Sequence, residues 1–165
     1  MLFSPPSPTK VQRFLDLIDR LSDALGASVP PFVNLEELRS LPVGTLGHAW
    51  AESLDRHHLA PFTTGPRRKQ LHDGIHVLTG YGTDPIGEAE VQAFLLGSKF
   101  RPVHLVLGLG LLNAIAHQHP SWQMVKTRLW NAYDRGRRSS FDVDRWEPEH
   151  LWSVPLEEVQ RYYRL

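Results

Sequence analysis

The chain has 165 residues, with eighteen basic and eighteen acidic side chains, nine histidines and no cysteine. That length suits one domain able to bury roughly 70% of its unfolded surface without staples. Zero formal charge leaves no global field for nucleic acid, and the missing cysteines remove disulfides, thiolate metal sites and thiol nucleophiles together.

Pro5, Pro6 and Pro8 make residues 1–8 extended or disordered. The start lacks the basic and apolar regions of a signal peptide and the arginine-rich pattern of a transit peptide. A soluble cytoplasmic protein is therefore expected, at most peripheral on the inner face of the cytoplasmic membrane. From Val11, Phe14, Leu15, Ile18, Leu21 and Leu25 recur at helical spacing, with Gly26 as a stop. Asn34-Leu35-Glu36-Glu37 reads as a capping box for a short helix ending before Pro42. Leu46, Ala49, Trp50 and Leu54 mark a third helix. Pro66 opens the next, carrying Leu71, His72, Ile75, His76 and Leu78 up to Gly80. Asp84-Pro85 is an N-cap and first-turn pair for a helix through Leu95. An apolar run from Val103 to Ala116 would span about 21 Å as a helix, short of the roughly 30 Å hydrocarbon core, so a buried central helix is expected. Ser121 starts a helix through Trp122, Val125, Leu129 and Tyr133, ended by Gly136, and a helix from Pro155 to Tyr162 closes the chain. Alternating patterns are scarce. The expected architecture is all-α, one multi-helix domain over residues 1–165 with about six to eight helices.

The chemistry concentrates in Leu71-His72-Asp73-Gly74-Ile75-His76. Residues four apart on a helix lie within about 40° of each other, so His72 and His76 leave one face about a turn apart. Asp73 adjoins the first imidazole as a ligand or as a carboxylate orienting a ring. The run Thr79-Gly80-Tyr81-Gly82-Thr83-Asp84-Pro85 is dense in turn formers, so the following helix would bring Glu88 opposite the two histidines. His72, Asp73, His76 and Glu88 thus form a candidate cation site, although a histidine pair at this spacing also suits an ordinary helix surface. Zinc is the default ion, and iron, manganese or cobalt suit the same donors. A zincin protease needs His-Glu-x-x-His, and the shorter Asp73 would hold its carboxylate farther from a metal-bound water. An HD-type phosphohydrolase would join His72-Asp73 to His57 or His58 and Asp134, and stays open.

This sequence resembles the COQ4 family of ubiquinone (coenzyme Q) biosynthesis. The resemblance lies in His72-Asp73-x-x-His76, eleven residues, then Glu88, with Gly74-Ile75, Val77-Leu78-Thr79-Gly80-Tyr81-Gly82-Thr83-Asp84-Pro85-Ile86-Gly87 and Gln92-Ala93-Phe94 around it. Leu38-Arg39, Gly44-Thr45-Leu46-Gly47, Trp146-Glu147 and Pro155-Leu156-Glu157-Glu158-Val159 extend it over roughly residues 38–165. The resemblance implies a mostly helical, peripheral membrane protein working with other quinone-biosynthesis proteins, here as a bacterial relative and with a homodimer allowed. It implies metal ligation by His72, Asp73, His76 and Glu88. It also implies a polyprenylated quinone precursor or prenyl lipid as ligand, with metal-dependent oxidative decarboxylation at ring carbon C1. A non-catalytic lipid-binding scaffold is the alternative role. Beside it, Arg67, Arg68 and Lys69 are candidate holders of an anionic group, and Gly108 and Gly110 could let a prenyl chain approach the backbone of the Val103 to Ala116 segment. Arg135-Gly136-Arg137-Arg138 could meet anionic headgroups.

Overall fold

The computed structural model describes residues 29–100 and 122–165. The stretch 1–8, the helix expected from Val11, and the Val103 to Ala116 run with Gly108 and Gly110 lie outside the described residues. Among the described residues there are seven α-helices, one 3-10 turn and no strand, an all-α architecture.

Helix α1 (Leu35–Ser40) starts where the Asn34 side chain accepts from the Glu37 amide at 3.4 Å, and it buries Leu38. Thr45 caps α2 (Leu46–Arg56) in the same way, accepting from His48. Leu46, Trp50, Ala51 and Leu54 turn inward from α2. The helix expected from Pro66 to Gly80 is two: α3 (Arg67–Gln70) and α4 (His72–Thr79). Leu71 at the join keeps right-handed helical dihedrals (φ −79°, ψ −14°), so the apolar period runs through it unchanged and hides the break. The join adjoins Gln70, whose buried amide donates to the Val29 carbonyl at 2.9 Å and ties the turn to the incoming chain.

Helix α5 (Pro85–Ser98) follows the Asp84 cap and runs three residues past Leu95. Helix α6 (Trp122–Arg138) does not stop at Gly136. That glycine is buried in the helix, and a Cβ there would lie 2.1 Å from the Phe94 carbonyl oxygen of α5. A Cβ on Gly97 would likewise lie 2.1 Å from the Tyr133 oxygen, so the two backbones touch through a pair of glycines. The stop signal was a packing signal. The helices run parallel, since Glu90 meets Arg128 midway and Phe94 and Gly97 meet the Tyr133 to Arg137 end. A 3-10 turn (Pro148–His150) precedes α7 (Leu156–Tyr163).

The core is aromatic. Trp50 stacks on Trp146 at 5.9 Å and meets Trp152 edge-on at 5.1 Å, and Phe141 bridges Trp146 to Phe94. Leu71, Ile75 and Leu78 pack on this cluster. They fix the rotation of α4 about its axis, and with it the direction of the histidines. The carbonyl end of α4 is held from two sides. Arg135 of α6 donates to the Thr79 oxygen at 2.6 Å, and Gln160 of α7 to the Leu78 oxygen at 3.0 Å.

Candidate metal centre

His72 opens α4 and His76 sits one turn on, with ring centroids 4.7 Å apart and planes at 81°. Gly80, in the left-handed region (φ 75°), ends α4, and its amide bonds the His76 carbonyl at 2.8 Å. The chain reverses through residues 80–84, and Asp84 accepts from the Gly87 amide at 2.6 Å to start α5. The loop lies directly on that first turn, where a Cβ on Gly87 would sit 2.0 Å from the Gly82 oxygen. Glu88, the next residue, is thereby held across from the imidazoles.

The two imidazoles and the carboxylate converge, each histidine facing a different oxygen of Glu88. His76 Nε2 lies 3.1 Å from His72 Nε2 and 3.2 Å from Glu88 Oε1, and His72 Nε2 lies 3.2 Å from Glu88 Oε2. Donors of a tetrahedral ion bonded at about 2.05 Å stand about 3.3 Å apart, and neighbours around an octahedral ion at about 2.1 Å stand about 3.0 Å apart. The separation of the two imidazole nitrogens falls between these, and each has a Glu88 oxygen at the same range, so the spacing suits a shared ion.

The tautomer of His76 follows from its partner. Its Nδ1 lies 3.1 Å from the Tyr81 carbonyl oxygen, which only accepts, so Nδ1 carries the hydrogen. In the neutral ring Nε2 is then a lone pair aimed at the donor cluster, the orientation a metal ligand needs. Without a cation, a proton serves instead. Burial would lower the basicity of His76, but the bond and charge of Glu88 and the Tyr81 carbonyl leave its pKa raised. Burial would likewise raise Glu88, but hydrogen bonds from His72 and His76 outweigh it and hold the carboxyl at about 2. Burial dominates at Asp73 and pushes its pKa up, against the two imidazoles. His76 is almost fully enclosed, whereas the His72 and Glu88 side chains are each 28% exposed, so one side of the cluster faces solvent.

Among the described residues, the grouped donors are His72, His76 and Glu88, within 4.8 Å of one another. Asp73 is near enough to feel all three charges but is not one of the grouped donors. His57, His58 and Asp134 do not join the group. His57 Nδ1 bonds the Ser53 carbonyl, and Asp134 pairs with Arg137 and Arg138 on its own helix. The convergence an HD-type site requires is therefore not found among the described residues. Arg67 pairs with Glu149 at 2.6 Å under the Phe32 ring, Arg68 pairs with Asp144 at 2.6 Å, and Lys69 lies over Phe62. Arg67 and Arg68 thus tie α3 to the 144–149 segment. Sequence reasoning missed the Tyr81 carbonyl and the Arg135 clamp, because a backbone acceptor leaves no mark on residue type.

No family model matches the chain. Curated relatives that it does match are named ubiquinone biosynthesis protein COQ4. That of Bos taurus is 27% identical over 145 residues, covering 78% of this chain and 53% of the relative. That of Podospora anserina is 29% identical over 115 residues, 61% of this chain and 36% of the relative. That of Clavispora lusitaniae is 31% identical over 116 residues, 61% of this chain and 34% of the relative. The chain resembles COQ4 proteins. It spans only about a third to a half of the length of these COQ4 relatives. A crystal structure from Nostoc punctiforme, provisionally named a ubiquinone biosynthesis protein, superposes with a TM-score of 0.70 over 92% of this chain and 79% of that one. At 24% identity that likeness shows the fold.

Proposed function

We propose that this chain is a COQ4-type metal protein of ubiquinone or related prenylquinone biosynthesis, promoting oxidative decarboxylation of a polyprenylated hydroxybenzoate-type precursor at ring carbon C1. The observation that carries this reading is the cluster of His72, His76 and Glu88, closed by protein on the His76 side and open to solvent on the other. A structural ion is normally enclosed by four protein donors, whereas a catalytic one keeps a position for water or substrate. The open side therefore favours a working centre over a purely structural ion in a scaffold.

In this reading the bound ion would supply a Lewis acid for the ring carboxylate or a neighbouring phenolic oxygen. The protein supplies orientation and charge. Tyr81 holds the His76 ring in the ligating tautomer, and Glu88 stays ionised through the physiological range. Asp73, buried beside them, keeps its proton to higher pH than a solvated aspartate does. An apolar groove of about 380 Å³ between α5 and α6, lined by Ala93, Leu96, Leu129, Trp130 and Tyr133, offers a prenyl tail a place. It begins roughly 8 Å along α5 from Glu88, at 1.5 Å per residue. Each methylene buried there gains about 0.8 kcal/mol. Among the described residues no helix is long and apolar enough to cross a membrane, so membrane contact in this reading is peripheral.

The test is native mass spectrometry with elemental analysis on wild type and His76→Ala, followed by carbon dioxide release from a short-chain prenylated hydroxybenzoate under air. One metal per wild-type chain, lost in the variant, together with metal-dependent release, supports the reading. Metal uptake with no turnover would reassign the chain as a scaffold, and no uptake of any divalent metal would sink the reading altogether.

A further inference from the structure

We infer that Arg135 is a positioning residue for His76, acting from α6 through the turn that ends α4; the inference rests on the metal-centre reading above. The Arg135 guanidinium makes two contacts on that turn. Its Nη1 donates to the Thr79 carbonyl at 2.6 Å, and its Cζ lies over the Tyr81 ring at 5.5 Å from the centroid. Between these two residues stands Gly80, in the left-handed conformation that reverses the chain. Tyr81 in turn offers its carbonyl to His76 Nδ1 at 3.1 Å, and His76 Nε2 faces His72 and Glu88. One side chain therefore grips both ends of the Thr79-Gly80-Tyr81 turn, whose carbonyl sets the direction and tautomer of the enclosed imidazole.

The pairing suits arginine. A planar guanidinium can donate in its plane to a carbonyl while presenting its face to an aromatic ring, and lysine cannot do both at once. The direct outer partner of a metal-bound histidine typically matters about 10- to 100-fold in metal affinity; here that partner is the Tyr81 carbonyl, and Arg135 acts through it. An ion pair elsewhere on α6 docks that helix without touching the turn: Arg128 to Glu90 of α5 at 2.5 Å. It separates helix docking from histidine positioning.

The experiment uses the full chain with Co(II) as probe, comparing wild type, Arg135→Ala, Arg135→Lys and Arg128→Ala. Visible absorbance titration reads Co(II) affinity and ligand-field bands, and long-range imidazole ¹H–¹⁵N spectra of the metal-free protein, taken at a pH high enough for a neutral ring, read the His76 tautomer. Arg135→Ala should lose about 10- to 100-fold in Co(II) affinity, alter the bands and mix the His76 tautomers. Arg135→Lys should keep the fold, keep part of the affinity and still mix the tautomers, which decides the matter if the alanine variant fails to fold. Arg128→Ala should lower stability while leaving affinity within about twofold and the tautomer unchanged. Wild-type affinity and tautomer in both Arg135 variants, or an equal loss in Arg128→Ala, would overturn the inference. If wild type takes up no Co(II), the metal-centre reading falls, and the tautomer spectra still decide whether Arg135 positions His76.

Discussion

His76 has a separate task for each ring nitrogen: Nδ1 is committed to the Tyr81 carbonyl and Nε2 to the donor cluster. Its protonation and that of Glu88 give the metal-free protein a defined pH profile. Glu88 titrates below its ordinary value of 4.5, so its contribution to stability is present above about pH 4.5 and fades as pH falls towards about 2. His76 titrates above its ordinary value of 6.5, so its contribution is complete below that value and fades as pH rises through the raised one. Metal-free wild type should therefore exceed Glu88→Gln in Tm by most between about pH 4.5 and 6.5, with the gap closing on both sides. A gap independent of pH in thermal melts would show that the pair is not the source. Metal must displace the His76 proton, so Zn(II) affinity should fall as pH is lowered through the raised His76 value, with proton release on binding measurable by calorimetry in buffers of different ionisation enthalpy. Glu88→Gln should weaken Zn(II) binding by more than tenfold at neutral pH, read by competition with a chromophoric chelator.

Two helix junctions set the geometry at the scale of elements. The turn between α4 and α5 is short because Asp84 caps α5 at once and Gly87 lets the Gly82 backbone lie on the helix. Gly87→Ala should push that loop away, shift Glu88, and reduce metal binding more than global stability; equal losses in titration and in denaturant melts would contradict this. The α5–α6 contact depends on Gly97 and Gly136, where backbone faces backbone and no rotamer change can make room. Gly136→Ala should destabilise the protein by about 1–3 kcal/mol in urea unfolding, as overpacking a close contact does. An ordinary helix glycine would instead gain about 1 kcal/mol from the same change, so the sign of the result decides.

For the whole molecule, the groove between α5 and α6 is the feature that a tail-bearing ligand would use. Trp130 is 66% exposed beside it, a large apolar group at the surface that packs on Tyr133 at 5.6 Å between ring centroids. Adding a prenylated hydroxybenzoate should change tryptophan emission, and Leu96→Asp should abolish the change while leaving metal uptake intact. No emission change at saturating ligand would remove the groove from the proposal.

Much of this was legible in the residues themselves. The caps at Asn34 and Asp84, the apolar period of α2 and the histidine spacing on α4 are local signals, and each produced the element expected of it. The approach of Glu88 to the histidines was also legible, because a glycine-rich turn and an N-cap leave a short chain few routes. The break at Leu71 and the run of α6 through Gly136 were not. Helical dihedrals continue across the first, and the second glycine answers to a neighbouring backbone rather than to its own helix. Sequence alone thus determined the elements on which the candidate donors stand and the meeting of His72, His76 and Glu88. Only the tertiary structure decided the rest: the 3.1 and 3.2 Å contacts among His72, His76 and the two Glu88 oxygens, the tautomer of His76 and the grip of Arg135. The tautomer depends on a backbone carbonyl, which residue type does not mark. The grip of Arg135 depends on the packing of α6 against the end of α4, a contact between distant parts of the chain that no local pattern encodes.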